Sequence, residues 1–281
     1  TTGSVPATGR TSSVSAVSCA PSSPVGVPNH PSVRPTARSV ASASGTPHAS
    51  TMHRRTSDIY LKTVNGKTLT QLSSDPSDDV MPAFSPDATK IAFASNRSGN
   101  WDIYLTGIEG GPPTQITSES DHELHPTWSP DGRSLAYCRF GTQSGRWEIW
   151  TTDIANPGAK RLLDYGLFPE WCPDVARNKI VFQRAKQRGS RDYSVWTIDL
   201  TNGQASQPTE IVSAPNAALI NPSWSPDGSR IVFVAVVDPT EDSARPKQSD
   251  VWIVNIDGSN RINLTNGQFA TCNALGIFRL G

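Results

Sequence analysis

Apolar and polar residues alternate along this chain in short, similar bursts. "DIYLTGIEGG" from Asp102, "EIWTTDIANPG" from Glu148, "SVWTIDLTNG" from Ser194 and "DVWIVNIDG" from Asp250 share one layout, closed by a Gly-containing turn. Period-2 alternation closed by such a turn predicts a strand entering a hairpin. A further short strand follows each: "TQITS", "KRLLD", "TEIVS" and "RINLT". Ahead of each lies another pattern: "PAFSPDATKIAF" from Pro82, "PTWSPDGRSLAY" from Pro126, "PEWCPDVARNKIVF" from Pro169 and "PSWSPDGSRIVF" from Pro222. Each of these reads as strand, tight turn, strand. Pro presets φ, Asp bonds the backbone two residues on, and Gly accepts a positive φ.

The starts of these units lie 44, 43 and 53 residues apart. Four-stranded units of that length in tandem predict a β-propeller, because one blade cannot bury its own faces and must stack on its neighbours. Phe84, Trp128, Trp171 and Trp224 occupy one position of the repeat and are expected to fill the space between blades. A fifth unit lies upstream. "DIYLKTVNGKTLTQLSS" from Asp58 is an intact second half, and "PSVRPTARSVASAS" from Pro31 is read as its degenerate first half. The expected fold is all-β, with five units starting near 31, 82, 126, 169 and 222, either a five-bladed ring or an incomplete six-bladed one. After Thr265 no further Pro-aromatic start appears, and "GIFRL" (276–280) is a candidate closing strand.

Residues 1–30 are Ser-, Thr-, Pro- and Ala-rich and bury too little apolar surface to offset ordering entropy, so a disordered arm is expected before a propeller over 31–281. Lys plus Arg and Asp plus Glu balance at 25 each, which argues against a general nucleic-acid binder. No apolar run reaches the roughly 20 residues of a membrane helix. Without an initiator Met or a leader at its start, the chain is expected to be processed or a fragment. Cys19, Cys138, Cys172 and Cys272 show no metal-ligand spacing and leave the redox compartment open.

The units "PTWSPDGRSLAY" and "PSWSPDGSRIVF", each followed by "EIW" or "DVW" and a Gly-ended turn, resemble the TolB-type propeller repeat, a relative of the WD repeat. The resemblance is clear over 57–265 and weak over 31–56. It implies a periplasmic or extracellular, monomeric protein that binds a partner. In bacteria it implies a six-bladed propeller contacting a peptidoglycan-associated lipoprotein and the Tol system. The chain departs from that pattern in having five units and a low-complexity arm where TolB has a smaller α/β domain.

Candidate chemistry concentrates just before each Pro, in segments expected to be loops at one mouth of the central channel. Asp78, Asp79, Asp121, His122, Glu123, His125, Asp164 and Asn221 would gather there, as a solvated acidic rim or as a site for a basic peptide or Ca²⁺. "HELH" (122–125) is one residue short of the zinc-protease pattern, and Pro126 would end the helix that pattern needs. Trp101 and Trp147 are read as caps of a strand edge, and the charged loop 238–249 as a solvated hairpin. No Gly-x-Ser-x-Gly elbow occurs, and no His lies beyond His125. The expected function is a non-catalytic scaffold binding a protein or peptide at one rim, with no cofactor. The alternative is a propeller-type enzyme or fragment: a carbohydrate lyase, or a prolyl-oligopeptidase-like peptidase without its hydrolase domain. A sugar-binding propeller is a third reading.

Overall fold

A computed structural model describes residues 14–18, 57–63, 69–201, 203–237 and 248–266. Every regular element among them is a β-strand. The first sheet holds β1 (Val14–Ser18), β2 (Ile59–Thr63) and β3 (Leu69–Gln71). The second holds β4 (Asp79–Phe84), β5 (Lys90–Ser95), β6 (Asp102–Gly107) and β7 (Thr114–Gln115), in chain order. The third holds β8 (His122–Trp128), β9 (Ser134–Gly141), β10 (Arg146–Asp153) and β11 (Lys160–Tyr165). The fourth is built from β12 (Leu167–Trp171), β13 (Lys179–Ala185), β14 (Tyr193–Thr201), β15 (Gln204–Ala205) and β16 (Thr209–Val212), with β15 and β16 both on β14. The fifth holds β17 (Ala217–Trp224), β18 (Arg230–Val237), β19 (Gln248–Asn255) and β20 (Ile262–Asn263). All pairings are antiparallel, as the hairpin-sized connections require.

The sheets stack as blades. The first strand of each nests against the preceding sheet: β8 on β4, β5 and β6, β12 on β8, β9 and β10, and β17 on β12, β13 and β14. The apolar side chains of the repeat therefore collect in seams between blades. One seam joins Val80, Ala92, Ile103, Trp128, Leu135 and Tyr137, the next Ala136, Cys138, Ile149, Trp171, Ile180 and Phe182. The blade-start aromatics lie in these seams. Trp128 donates its indole N–H to the Ala83 carbonyl at 3.0 Å, and Trp224 to the Glu170 carbonyl at 3.0 Å, each reaching into the previous blade. Trp171 instead bonds Asn178 of its own blade at 3.0 Å.

The tight turns hold a detail beyond Pro, Asp and Gly. Ser129 donates its hydroxyl to Asp131 at 2.6 Å while accepting the Ser134 amide at 2.9 Å, and Asp131 accepts the Arg133 amide at 3.0 Å. Ser85 with Asp87 and Ser225 with Asp227 repeat the arrangement. These bonds hold the Asp131 carboxyl below its ordinary range. Gly132 and Gly228 take φ of 71° and 64°, whereas Ala88 occupies the same place at 55°.

The amino-terminal unit differs from expectation. The strand that pairs with β2 is β1, at Val14–Ser18, inside the segment 1–30 expected to be a disordered arm. The small, alternating "VSAVS" offers β2 the antiparallel partner that its backbone N–H and C=O groups require. The expected first half from Pro31, the loop 238–247 and the segment 276–280 lie outside the described residues.

Candidate functional site

Each first strand from β4 onward breaks register at the same point, between Val80 and Ala83, Leu124 and Thr127, Leu167 and Glu170, and Ile220 and Ser223. The cause is the Pro, which has no N–H for the ladder and tends to sit at a bulge. The residue before it is left-handed in every case: Met81 (φ 56°), His125 (55°), Phe168 (53°) and Asn221 (51°). Only Asn tolerates that region readily, so three of the four positions carry strain of order 1–2 kcal/mol. These first strands touch one another from blade to blade, as the innermost strands of a propeller do. There the His125 and Phe168 rings of adjacent blades meet at 4.0 Å between centroids. Burial pushes the His125 imidazole down to about 3, so it is neutral at physiological pH.

This geometry corrects the placement of the candidate residues. Asp79, His122, Glu123, His125 and Asn221 are not in connecting loops but within β4, β8 and β17, and Asp164 is in β11. Asp78 and Asp121 immediately precede their strands. The strands extend two to five residues ahead of each Pro because a bulge, not a strand end, accommodates it.

At the entry end of these strands most candidates are held by neighbours. Asp79, 0% exposed, receives both oxygens' hydrogen bonds from Arg97 at 2.9 Å, and Arg97 also reaches Asp75 at 2.6 Å. Asp78 accepts the Ser57 amide at 3.0 Å from the first blade. Asp121 lies 3.6 Å from the Arg139 guanidinium, and Asp164 pairs with Arg184 at 3.0 Å. His122 accepts the Trp101 amide at 3.3 Å, and the Asn221 amide donates to Gln183 at 2.7 Å. The exception is Glu123. It is 0% exposed, and neither carboxyl oxygen makes a well-formed hydrogen bond, although the Asp102 and Thr117 side chains lie beside it. Burial, with the adjacent Asp102 carboxylate and Glu119, pushes its pKa up to about 9, so it holds a proton at neutral pH.

The sequence reading missed the groups that organise this end. Asp58, Asp102 and Asp250 recur at the head of the third strand. Asp102 accepts from Thr117 at 3.3 Å and Gln115 at 3.2 Å, Asp250 from Thr265 at 2.7 Å and Asn263 at 3.2 Å, and Asp58 from Gln71 at 3.1 Å. Two residues on, an aromatic ring carries an arginine: Arg97 over Tyr104 at 4.8 Å, Arg139 over Trp150 at 3.9 Å, and Arg184 over Trp196 at 5.1 Å. The signal was present as the repeated acid-x-aromatic of "DIY", "EIW" and "DVW". Trp101 and Trp147 pack partly buried against the seams. Among the described residues no group of three or more His, Cys, Asp and Glu is placed to hold a metal ion. On the opposite face, a cleft of about 640 Å³ opens between the third and fourth blades, beside Asp131, Thr151, Arg161 and Trp171.

The profile of the TolB beta propeller domain matches residues 22–207, two thirds of the chain. The chain belongs to the TolB β-propeller family. Among solved structures, this TolB-type propeller is similar to putative TolB from Agrobacterium tumefaciens, with TM-score 0.61 and 24% identity over 74% of this chain and 73% of that one. It is similar to TolB from Acinetobacter baumannii, with TM-score 0.60 and 21% identity over 74% of this chain and 48% of that one. It therefore spans about half of the latter's length. An oligogalacturonate lyase in complex with manganese shares the fold at TM-score 0.53 and 14% identity, over 74% of this chain and 58% of that one. No curated protein matches the chain.

Proposed function

We propose that this TolB-type propeller is a non-catalytic scaffold that binds a protein or peptide at the rim formed by the entry ends of β4, β8, β12 and β17. The observation that carries this reading is the repeated left-handed residue before Pro82, Pro126, Pro169 and Pro222. Strain recurring at one level of β4, β8, β12 and β17 supports a surface shaped for contact rather than for stability. The four side chains differ (Met, His, Phe, Asn), so the channel wall presents a specific, mixed surface instead of a repeated core. Asp79, Asp121 and Asp164 near it are committed to Arg97, Arg139 and Arg184, which suits a rigid rim better than general acid–base work.

Photo-crosslinking in the organism of origin tests this. A photoreactive residue at position 122, on the rim, should give one defined protein adduct, and the same residue at position 133, on the opposite face, should give none. Adducts only from position 133, or manganese-dependent turnover of oligogalacturonate by the purified chain, would reject the scaffold reading.

A further inference from the structure

Charge is unevenly distributed around the rim. Over the first two blades and the connection into β8 the entry end is acidic, with Asp58, Asp75, Asp78, Glu119 and Asp121 set against Arg97 and Arg139. Over the third and fourth blades the sign reverses. The β9–β10 and β13–β14 connections lie side by side there, and the Arg188 guanidinium reaches the Ser144 carbonyl of the neighbouring blade at 3.5 Å. Arg146, Lys186 and Arg188 are exposed in this sector. Its acids are largely spent: Asp121 accepts the Thr142 amide at 3.4 Å and lies 3.6 Å from Arg139, Asp164 is paired with Arg184, and Glu148 is buried against Arg139 and Trp150. Asp192 alone remains to oppose them in the β13–β14 connection.

Aromatic surface accompanies this charge. The rings of Phe140 and Trp147 meet edge to face at 5.5 Å, while on the other face of the same sheet Arg146 lies 5.1 Å over Tyr165. All three rings are only partly buried. Partly exposed Trp, Tyr and Phe beside Arg is the composition that dominates binding energy in protein interfaces. Edge-to-face rings offer no flat platform for stacking a base, and the chain has no net positive charge to hold a polyanion.

We infer that the sector formed by Arg146, Lys186, Arg188, Phe140 and Trp147 docks an acidic peptide segment carrying an aromatic or aliphatic residue. The carboxylates would meet the three cations while the apolar side chain covers the half-buried rings. This deepens the rim reading and rests on it.

Two short fluorescein-labelled peptides test it by anisotropy on the full chain, one alternating Glu with Phe and Leu, the other with Lys in place of Glu. A labelled oligothymidylate is the third probe. The acidic peptide should bind, weaken with added salt, and lose at least tenfold in affinity in the triple variant R146E/K186E/R188E. The neutral triple R146Q/K186Q/R188Q should lose less. Reversing three exposed cations on the opposite face, K90E/R133E/R230E, should change nothing. Unaltered thermal transitions would show that each variant is folded. Preference for the lysine peptide or the oligonucleotide would overturn this assignment of partner chemistry while leaving a rim site standing. Equal losses from both triples, or no binding of the acidic peptide, would also overturn it. Crosslinks confined to position 133 would remove the rim reading itself.

Discussion

The indole nitrogen of Trp128 donates a 3.0 Å hydrogen bond to the carbonyl oxygen of Ala83, so a side chain of the third blade closes a backbone group of the second. That carbonyl lies in the bulge of β4, beside Pro82, where the ladder is interrupted. Trp128→Phe keeps most of the ring but leaves the carbonyl open, which costs about 1–3 kcal/mol. Trp171→Phe breaks only a bond within its own blade. Chemical denaturation should show the Trp128 variant destabilised, and hydrogen exchange should rise in β4 as well as β8. In the Trp171 variant the rise should stay within the fourth blade.

Glu123 makes stability depend on pH in the alkaline direction. Its folded pKa, about 9, exceeds the ordinary 4.5, so between those values the folded state binds more protons than the unfolded one. Stability is then highest below pH 4.5 and falls as pH rises to about 9. Asp58, raised to about 6 chiefly by burial and next by Asp79, acts in the same sense over the lower part of that window. Glu123→Gln cannot ionise. Its melting temperature should gain steadily on the wild type from pH 5 to pH 9 and match it near pH 4. An identical pH dependence for the two proteins would refute the assignment.

His125 has the opposite dependence. Burial holds its imidazole near 3, below the ordinary 6.5, so the unfolded state binds more protons between those values. Stability attributable to this residue therefore rises with pH from about 3 to 6.5 and is constant above. His125→Asn places at this left-handed position the residue found at Asn221. The variant loses the ring contact with Phe168 but should show a shallower loss of melting temperature on acidification.

Ala88 sits at φ 55° where Gly132 and Gly228 occupy the equivalent turns. An L-residue there costs roughly 1–2 kcal/mol, while glycine gives back some 0.5–1 kcal/mol in backbone entropy. Ala88→Gly should stabilise the chain by about 0.5–1 kcal/mol in equilibrium denaturation, with no change at the rim, because the turn lies at the far end of its blade.

The blade and its repeat were legible in the residues because each rests on local chemistry. Alternation places strands, Pro-Asp-Gly places turns, and a Trp two residues after a Pro is too large to remain unburied. The chain therefore determined a stack of four-stranded sheets and its seam-filling aromatics before any coordinate. The tertiary structure alone decided what the polar residues near the Pro do. A strand and a loop look alike over "SDHELHP", since Pro126 could end a ladder or bulge it, and only the partner β9 shows that it bulges. Whether Asp79 is a ligand or a buried ion pair depends on Arg97, which folding brings to its carboxylate from 18 residues away. Glu123 illustrates the same dependence in reverse. Next to His122 in the chain it looks like metal chemistry, but the seam between the second and third blades buries it beside Asp102 and protonates it. Burial and partner geometry are properties of several blades together, and they set the charge that each of these side chains carries.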